Sequence, residues 1–198
     1  MSSHVPATFT TVHPLSDSQR ERRQRLLTAA RDLAATGGYA AVTMHAVADS
    51  AQLARATVYR YFGSKDQLLT AVGAEWAREV TAAWESHDVP GRPAERVATL
   101  LTEIIDRTAA ELPLCSAVVS AIISGDPTAE GERRGLYGLW MGRFDEILEE
   151  AVAAEDRAEI DYLLGQLLLA AFTSMCMLGQ SPEQVRNMMV GAAHRLLP

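Results

Sequence analysis

The sequence predicts an all-α fold of about nine helices, with a helix-turn-helix head leading into a larger helical body. Three observations lead there. Apolar residues return every three or four positions through most of the chain, and no segment keeps the apolar–polar alternation of a half-buried strand. Helix-opening patterns recur: Ser18-Gln-Arg-Glu21, Ser64-Lys-Asp-Gln67 and Ser181-Pro-Glu-Gln184 can each satisfy free amides at a helix start. Residues Thr57 to Leu69 compress a short helix, a glycine break at Gly63 and a newly capped helix into thirteen positions.

The elements follow in order. After the Ser18 box, Leu26, Ala29, Ala30 and Leu33 recur at helical spacing, and Gly37-Gly38 supplies the stop. Thr43 caps a second, short helix with Ala46, Val47 and Ala51 turned inward. A brief turn through Gln52 leads to a third helix, about Ala54 to Phe62. There Ala54, Val58 and Phe62 share the core side, which leaves Arg55, Ala56, Tyr59 and Arg60 pointing away, with Thr57 and Tyr61 at the margins. Two short helices joined by a tight turn and braced by a longer one describe a helix-turn-helix. A fourth helix runs from the Ser64 box to about Trp84. Pro93 opens a fifth, striped by Val97, Leu100, Leu101, Ile104, Ile105 and Thr108. Leu114, Val118, Val119, Ile122 and Ile123 mark a sixth. A seventh follows Asp126-Pro127, carrying Leu136, Trp140, Phe144, Ile147 and Leu148. Residues 160–179 and 183–196 form the last two.

Charge divides along the chain. The total is −7, yet residues 1–70 carry eight cations against five anions, a balance of +3, while residues 71–198 carry 10 against 20, a balance of −10. A basic head on an acidic body approaches a polyanion in one favourable orientation. Seventeen of the cations are arginines and the one lysine is Lys65, within the helix-turn-helix stretch. Arg55 near a helix start suits guanine edges in a major groove, and the alanines beside it permit close approach.

Other features bound the reading. Cys115 and Cys176 lie 61 residues apart without a paired-cysteine motif, which favours a reducing cytoplasm and no metal site. Residues 1–15 lack a signal-peptide pattern and are expected to form a disordered arm. Tyr162–Pro182 contains no charged residue. Gln166, Thr173, Ser174, Gln180 and Ser181 interrupt it, so burial in an oligomer core is expected rather than a membrane partner.

From about Arg23 to Leu69 the chain resembles the DNA-binding domain of TetR-family transcriptional regulators. The matching stretches are Leu26-Leu-Thr-Ala-Ala-Arg-Asp-Leu33, Gly38-Tyr39, Thr43 with Val47-Ala48, Thr57-Val-Tyr-Arg-Tyr-Phe62, and Ser64-Lys65 with Leu68-Leu69. One departure is Gln52, where the family usually carries a turn glycine, so a differently shaped or strained turn is expected. The resemblance implies that His45, Arg55 and Thr57 read bases, and that Thr43, Tyr59, Arg60, Tyr61 and Lys65 touch phosphates or flanking edges. It further implies a homodimer that binds double-stranded operator DNA, is not an enzyme and needs no cofactor. It divides the chain into an arm (1–15), a DNA-binding domain (16–63) and a ligand-binding and dimerisation domain (64–198).

The body reads either as plain core or as a chamber for a small apolar effector. Ser116, Ser120 and Ser124 along one helical face favour a chamber, as do its large aromatic groups. The residues expected to line it are Trp76, Trp84, Leu100, Ile104, Val118, Ile122, Trp140, Phe144, Phe172 and Met175. Gly131, Gly135, Gly138 and Gly142 share one face of the seventh helix, for close helix approach or for mobility. Leu164, Leu167, Leu168 and Ala171, with Val185, Met188, Met189 and Ala192, are the expected dimer surface. Residues 113–127 are similar to regulators of sterol and lipid breakdown in the same family, implying a sterol- or acyl-type effector; an aromatic or drug-like one stays open. Two other readings are a thiol redox sensor built on Cys115 and Cys176, and a small helical enzyme, which lacks any motif-based nucleophile, phosphate loop or metal-spaced cluster.

Overall fold

A computed structural model describes residues 16–85, 89–141 and 144–197. The first helix, α1 (Asp17–Ala41), opens two residues before the expected Ser18 box. Ser16 is the cap: its hydroxyl accepts the Gln19 amide at 3.3 Å, and the Gln19 side chain accepts the Ser16 amide at 2.8 Å. Starting here places Asp17 in the first turn, where the helix dipole favours an anion. Leu26, Leu27, Ala29, Ala30 and Ala34 are buried, and the helix breaks at Gly38, whose φ of +63° suits a residue without a Cβ.

Thr43 caps α2 (Met44–Ser50), its Oγ1 accepting the Ala46 amide at 3.0 Å. The inward residues are Val47, Ala48 and Ala51, with Ala46 only half-buried. The turn to α3 (Arg55–Tyr61) is a Schellman closure: Leu53 N–H reaches Ala48 O at 2.9 Å and Gln52 N–H reaches Asp49 O at 3.1 Å. Gln52 occupies the left-handed position at φ +53°, which no other non-glycine among the described residues does. The expected strain is therefore a feature of the backbone. On α3, Val58 and Phe62 are buried as the spacing predicts. Ala54 is not: it is the exposed N-cap, one residue before the helical register that would have turned it inward.

The body begins with α4 (Lys65–Glu85) and adds α5 (Pro93–Ala110), α6 (Leu112–Ile123), a 3₁₀ turn (Pro127–Ala129), α7 (Glu130–Met141), α8 (Asp145–Ala151), α9 (Arg157–Cys176) and α10 (Pro182–Leu196). All described elements are helical. Among the described residues ten helices stand where about nine are expected, because the predicted seventh is two: α7 ends at Met141, and α8 restarts after a buried Phe144. Its five apolar residues are all buried even so. The α5 stripe is likewise fully inside, packed against α10. Ile123 departs from the predicted stripe and is 50% exposed, since α6 ends there.

Helix α4 joins the two parts. It packs on α1 of the head, on α6 and on α7. Gly73 makes this possible: a Cβ there would meet Val118 Cγ1 at 2.5 Å. Gly131, Gly135 and Gly138 on α7 have open space around them instead, so they do not serve close packing within the chain.

Candidate DNA-reading surface and apolar cavity

The outward face of α3 presents Arg55, Ala56, Tyr59 and Arg60, all exposed, with Tyr59 at 58%. Arg55 does not hang free. Its Nη2 donates to His45 Nε2 at 2.8 Å, while His45 Nδ1 faces Asp49 Oδ2 at 3.4 Å. A guanidinium can only donate, so Nε2 must be the acceptor and the ring proton sits on Nδ1, toward Asp49. Asp49 and His45 on α2 thus aim the arginine of α3. Thr43 and Thr57 flank this group, Thr43 exposed and Thr57 half-buried.

Two residues of the expected DNA set are placed differently. Tyr61 is half-buried, and its hydroxyl is enclosed with no partner among the described residues, so it does not reach the surface. Arg60 lies over its ring at 5.5 Å. Lys65 is also half-buried: its ammonium sits 3.5 Å from the centre of the Tyr39 ring and donates to Tyr39 O at 3.3 Å. Tyr39 in turn donates its hydroxyl to Asp66 Oδ1 at 2.6 Å. Burial, then the Asp66 carboxylate, pushes the Tyr39 phenol up to about 12. The start of α4 is therefore tied to the end of α1.

The same hinge is tied to the body. Ser64 Oγ and Thr128 Oγ1 share a hydrogen bond at 2.8 Å, and Thr128 Oγ1 also lies 2.8 Å from Asp126 Oδ1. The Ser64 hydroxyl and the Thr128 amide hold the Asp126 carboxyl below the usual carboxylate range. Gln67 Nε2 reaches Glu132 on α7 at 3.0 Å, and its Oε1 accepts the Gly63 amide at 2.7 Å. The second capping box thus reaches back to Gly63 rather than to Ser64.

Behind α4 lies a cavity of about 440 Å³. Its wall is apolar: Gly73 and Trp76 of α4, Cys115, Val118, Val119 and Ile122 of α6, Leu136, Tyr137 and Trp140 of α7, and Gly165, Leu168, Leu169 and Phe172 of α9. Trp140 is packed between Trp76 and Phe172, with ring centres 6.1 and 6.0 Å away. Glu130, Arg133 and Arg134 supply the polar part of the lining. Arg134 pairs with Glu130 at 2.5 Å, and Arg133 donates to Asp126 O at 2.7 Å.

A family model described as bacterial regulatory proteins, tetR family, matches residues 26–72. Over 173 residues the chain is 31% identical to the HTH-type transcriptional repressor KstR of Rhodococcus jostii (strain RHA1), covering 87% of this chain and 81% of that one. This chain belongs to the TetR family. Its fold matches a TetR transcriptional regulator from Rhodococcus sp. RHA1 with a TM-score of 0.81 at 23% identity, covering 91% of this chain and 97% of that one. It also matches Thermus thermophilus FadR, a TetR-family repressor solved with lauroyl-CoA, with a TM-score of 0.67 at 18% identity, covering 86% and 92%. TetR-family membership makes the chain a DNA-binding transcriptional regulator and not an enzyme.

Within this TetR fold the expected cavity residues divide. Trp76, Val118, Ile122, Trp140 and Phe172 stand around the space. Leu100, Ile104, Phe144 and Met175 are buried in the core away from its wall; Leu100 and Ile104 belong to α5, which contributes nothing to the lining. The Trp84 side chain lies outside the described residues. The three serines do not line it either: Ser120 and Ser124 bond carbonyls of their own helix, and Ser116 bonds Cys176 O. Among the residues missed are Gly73, Leu136, Tyr137 and the Arg133–Arg134 pair. A helical net of α7 could have flagged Tyr137 and Arg133 beside Leu136 and Trp140.

The residues of the expected dimer surface divide by burial. Leu164, Leu168, Ala171, Val185 and Met189 are buried within this one chain, Leu167 and Ala192 are half-buried, and Met188 alone of the set is exposed, at 54%. The apolar groups left open on α9, α10 and the loop between them are Tyr162, Leu169, Met177, Leu178 and Met188. No single helix among the described residues is long and apolar enough to cross a membrane. Burial pushes the Cys115 and Cys176 thiols up, which keeps both from the reactive thiolate form and removes support from the redox reading.

Proposed function

We propose that this TetR-family chain is a homodimeric repressor that grips a palindromic operator through α3 and lets go when an elongated apolar molecule enters the cavity behind α4. The observation that carries the proposal is the shared helix. One face of α4 walls the cavity at Gly73 and Trp76, and its first turn is hydrogen-bonded to the head through Lys65 and Asp66. Arg55, aimed by His45 and Asp49, reads bases together with Thr57. Thr43, Tyr59 and Arg60 engage phosphates, and Lys65 joins them on leaving Tyr39. Two heads set by a twofold axis read related half-sites. Their partner face uses Tyr162, Met177, Leu178 and Met188 rather than the buried leucines of α9.

A volume of about 440 Å³ falls in the usual range for a small-molecule site. Its aromatic and aliphatic wall favours a rigid polycycle or an acyl chain, and the arginines at the polar lining suit an anionic end. Similarity to KstR and the lauroyl-CoA bound by Thermus thermophilus FadR support a sterol- or acyl-type effector for this chain. An effector acts only through its preference for the DNA-incompetent state; reversing a 99:1 population needs about 5.5 kcal/mol of it.

Fluorescence anisotropy on duplexes selected from genomic DNA tests the head. Arg55→Ala is expected to weaken binding by about 1–3 kcal/mol and to relax one base position. Tyr59→Ala is expected to weaken all sequences evenly. Unchanged binding in both variants removes the assignment. Titration of the complex with lauroyl-CoA, a neutral sterol and an aromatic dye then ranks the effector classes.

A further inference from the structure

Trp76 faces two ways. Its ring lines the cavity against Trp140, and its Nε1–H points to the opposite side, donating to Glu111 Oε1 at 2.9 Å. Glu111 Oε2 accepts from Arg31 Nη2 at 3.1 Å, and Arg31 Nη1 bridges both oxygens of Glu79 at 2.7 and 2.8 Å. Arg31 lies on α1 of the head, Glu111 caps the start of α6, and Glu79 lies one turn beyond Trp76 on α4. One unbroken set of hydrogen bonds therefore leads from the cavity wall to the longest helix of the head.

We infer that Glu111 is the positioning residue through which cavity occupancy is felt by the DNA-reading head, with the Trp76 indole as its sensor and Arg31 as its output. The inference rests on the proposed function of the two sites. The indole fixes one carboxylate oxygen, so the other sits on Arg31. A guest that displaces the stacked Trp140 and Trp76 rings turns the indole, and a hydrogen bond is lost within a few tens of degrees. Glu111 is then free to rotate, and Arg31 trades a planar grip on two helices for a grip on Glu79 alone. Because α1 packs along both α4 and α6, its seat changes with that grip. This route is separate from the Ser64–Thr128 and Gln67–Glu132 contacts, which act at the far end of α4.

Coupling between two binding sites is reciprocal, so DNA on the head must be felt at Trp76 even with the cavity empty. This permits a test with a known ligand. The full chain is labelled with 5-fluorotryptophan, and its ¹⁹F spectrum is recorded with and without a saturating mixed-sequence duplex at low salt. Trp76→Phe identifies the Trp76 resonance, and anisotropy reports duplex binding separately. The expected result is a Trp76 resonance that moves on DNA binding in the wild type and moves at most half as far in Glu111→Gln or in Arg31→Lys, where a point charge replaces the planar fork, the remainder being carried by α4 itself. A purely structural role would alter stability or shift the resonance equally in both states. A resonance unmoved by bound DNA in the wild type, or moving as far in either folded variant as in the wild type, overturns the relay while leaving DNA binding intact. Absence of any duplex binding overturns the DNA-binding proposal first, and the relay with it.

Discussion

Replacing Gln52 by glycine acts on the backbone of the turn between the two short helices of the head. Gln52 is held at φ +53° by the two main-chain bonds of its Schellman closure, and both persist whatever the side chain. An L-residue in this conformation costs roughly 1–2 kcal/mol. Glycine removes that cost but loses about 0.5–1 kcal/mol through the greater freedom of its unfolded chain. The balance is a gain of about 0.5–1 kcal/mol, and for a chain of this size about 2 °C in Tm. Differential scanning calorimetry on the wild type, Gln52→Gly and Gln52→Ala measures it. Alanine keeps the positive φ and is expected to melt with the wild type. Operator affinity is expected to be unchanged, since the turn keeps its shape. A glycine variant that melts no higher than the wild type, or an alanine variant that gains as much, refutes the argument from backbone strain.

Ile122→Trp fills the cavity from the α6 wall, one turn beyond the Gly73 contact, and is expected to abolish the effector response while preserving operator binding, read by anisotropy with and without lauroyl-CoA; overpacking should cost about 1–3 kcal/mol of stability. The double change Met188→Glu with Leu178→Glu puts two charges on the open apolar face and is expected to give monomers by light scattering, whereas Leu164→Ala, deep in the protomer, should cost about 2–5 kcal/mol of stability in chemical denaturation without changing the oligomeric state. Tyr39 bears on pH. Its folded value, about 12, lies above the unfolded one, so its contribution is fully present below about pH 10 and is lost as pH rises toward 12. Chemical denaturation across that window should show a fall in stability that Tyr39→Phe reduces.

Local signals carried most of the fold. Thr43, Ser64, Pro93 and Ser181 announce their helices because capping is settled within three or four residues, and the α5 stripe is one face of one helix. Ser16 was hidden by a neighbour, Ser18, with an equally good pattern; only the actual extended backbone at Ser16 chooses between them. The same locality explains Gln52, whose departure from glycine was visible as a residue and then as a dihedral angle. What the sequence could not show was which of several apolar faces meets which neighbour. Leu100 and Ile104 were as apolar as Val118 and Ile122, but α5 turns to α10 while α6 turns to α4. Leu164 and Val185 were apolar enough for an interface and are consumed by the protomer's own core. Lys65 lay beside Tyr59 and Tyr61 in sequence, yet its stem folds over Tyr39, 26 residues earlier. The separation of Trp76 from Glu111 by 35 residues and from Arg31 by 45 left that contact invisible to any local pattern.

The tight seating of Gly73 on Val118 gives α4 a fulcrum. At 1.5 Å per residue, Lys65 lies about 12 Å along the rod on one side of that point, and Trp76 about 4.5 Å on the other. A rigid beam pivoting there swings its two arms in opposite senses, with the longer arm travelling nearly three times as far. A wedge of about 1 Å driven under the tryptophan therefore displaces the lysine end by almost 3 Å, enough to throw two recognition helices out of step with successive grooves.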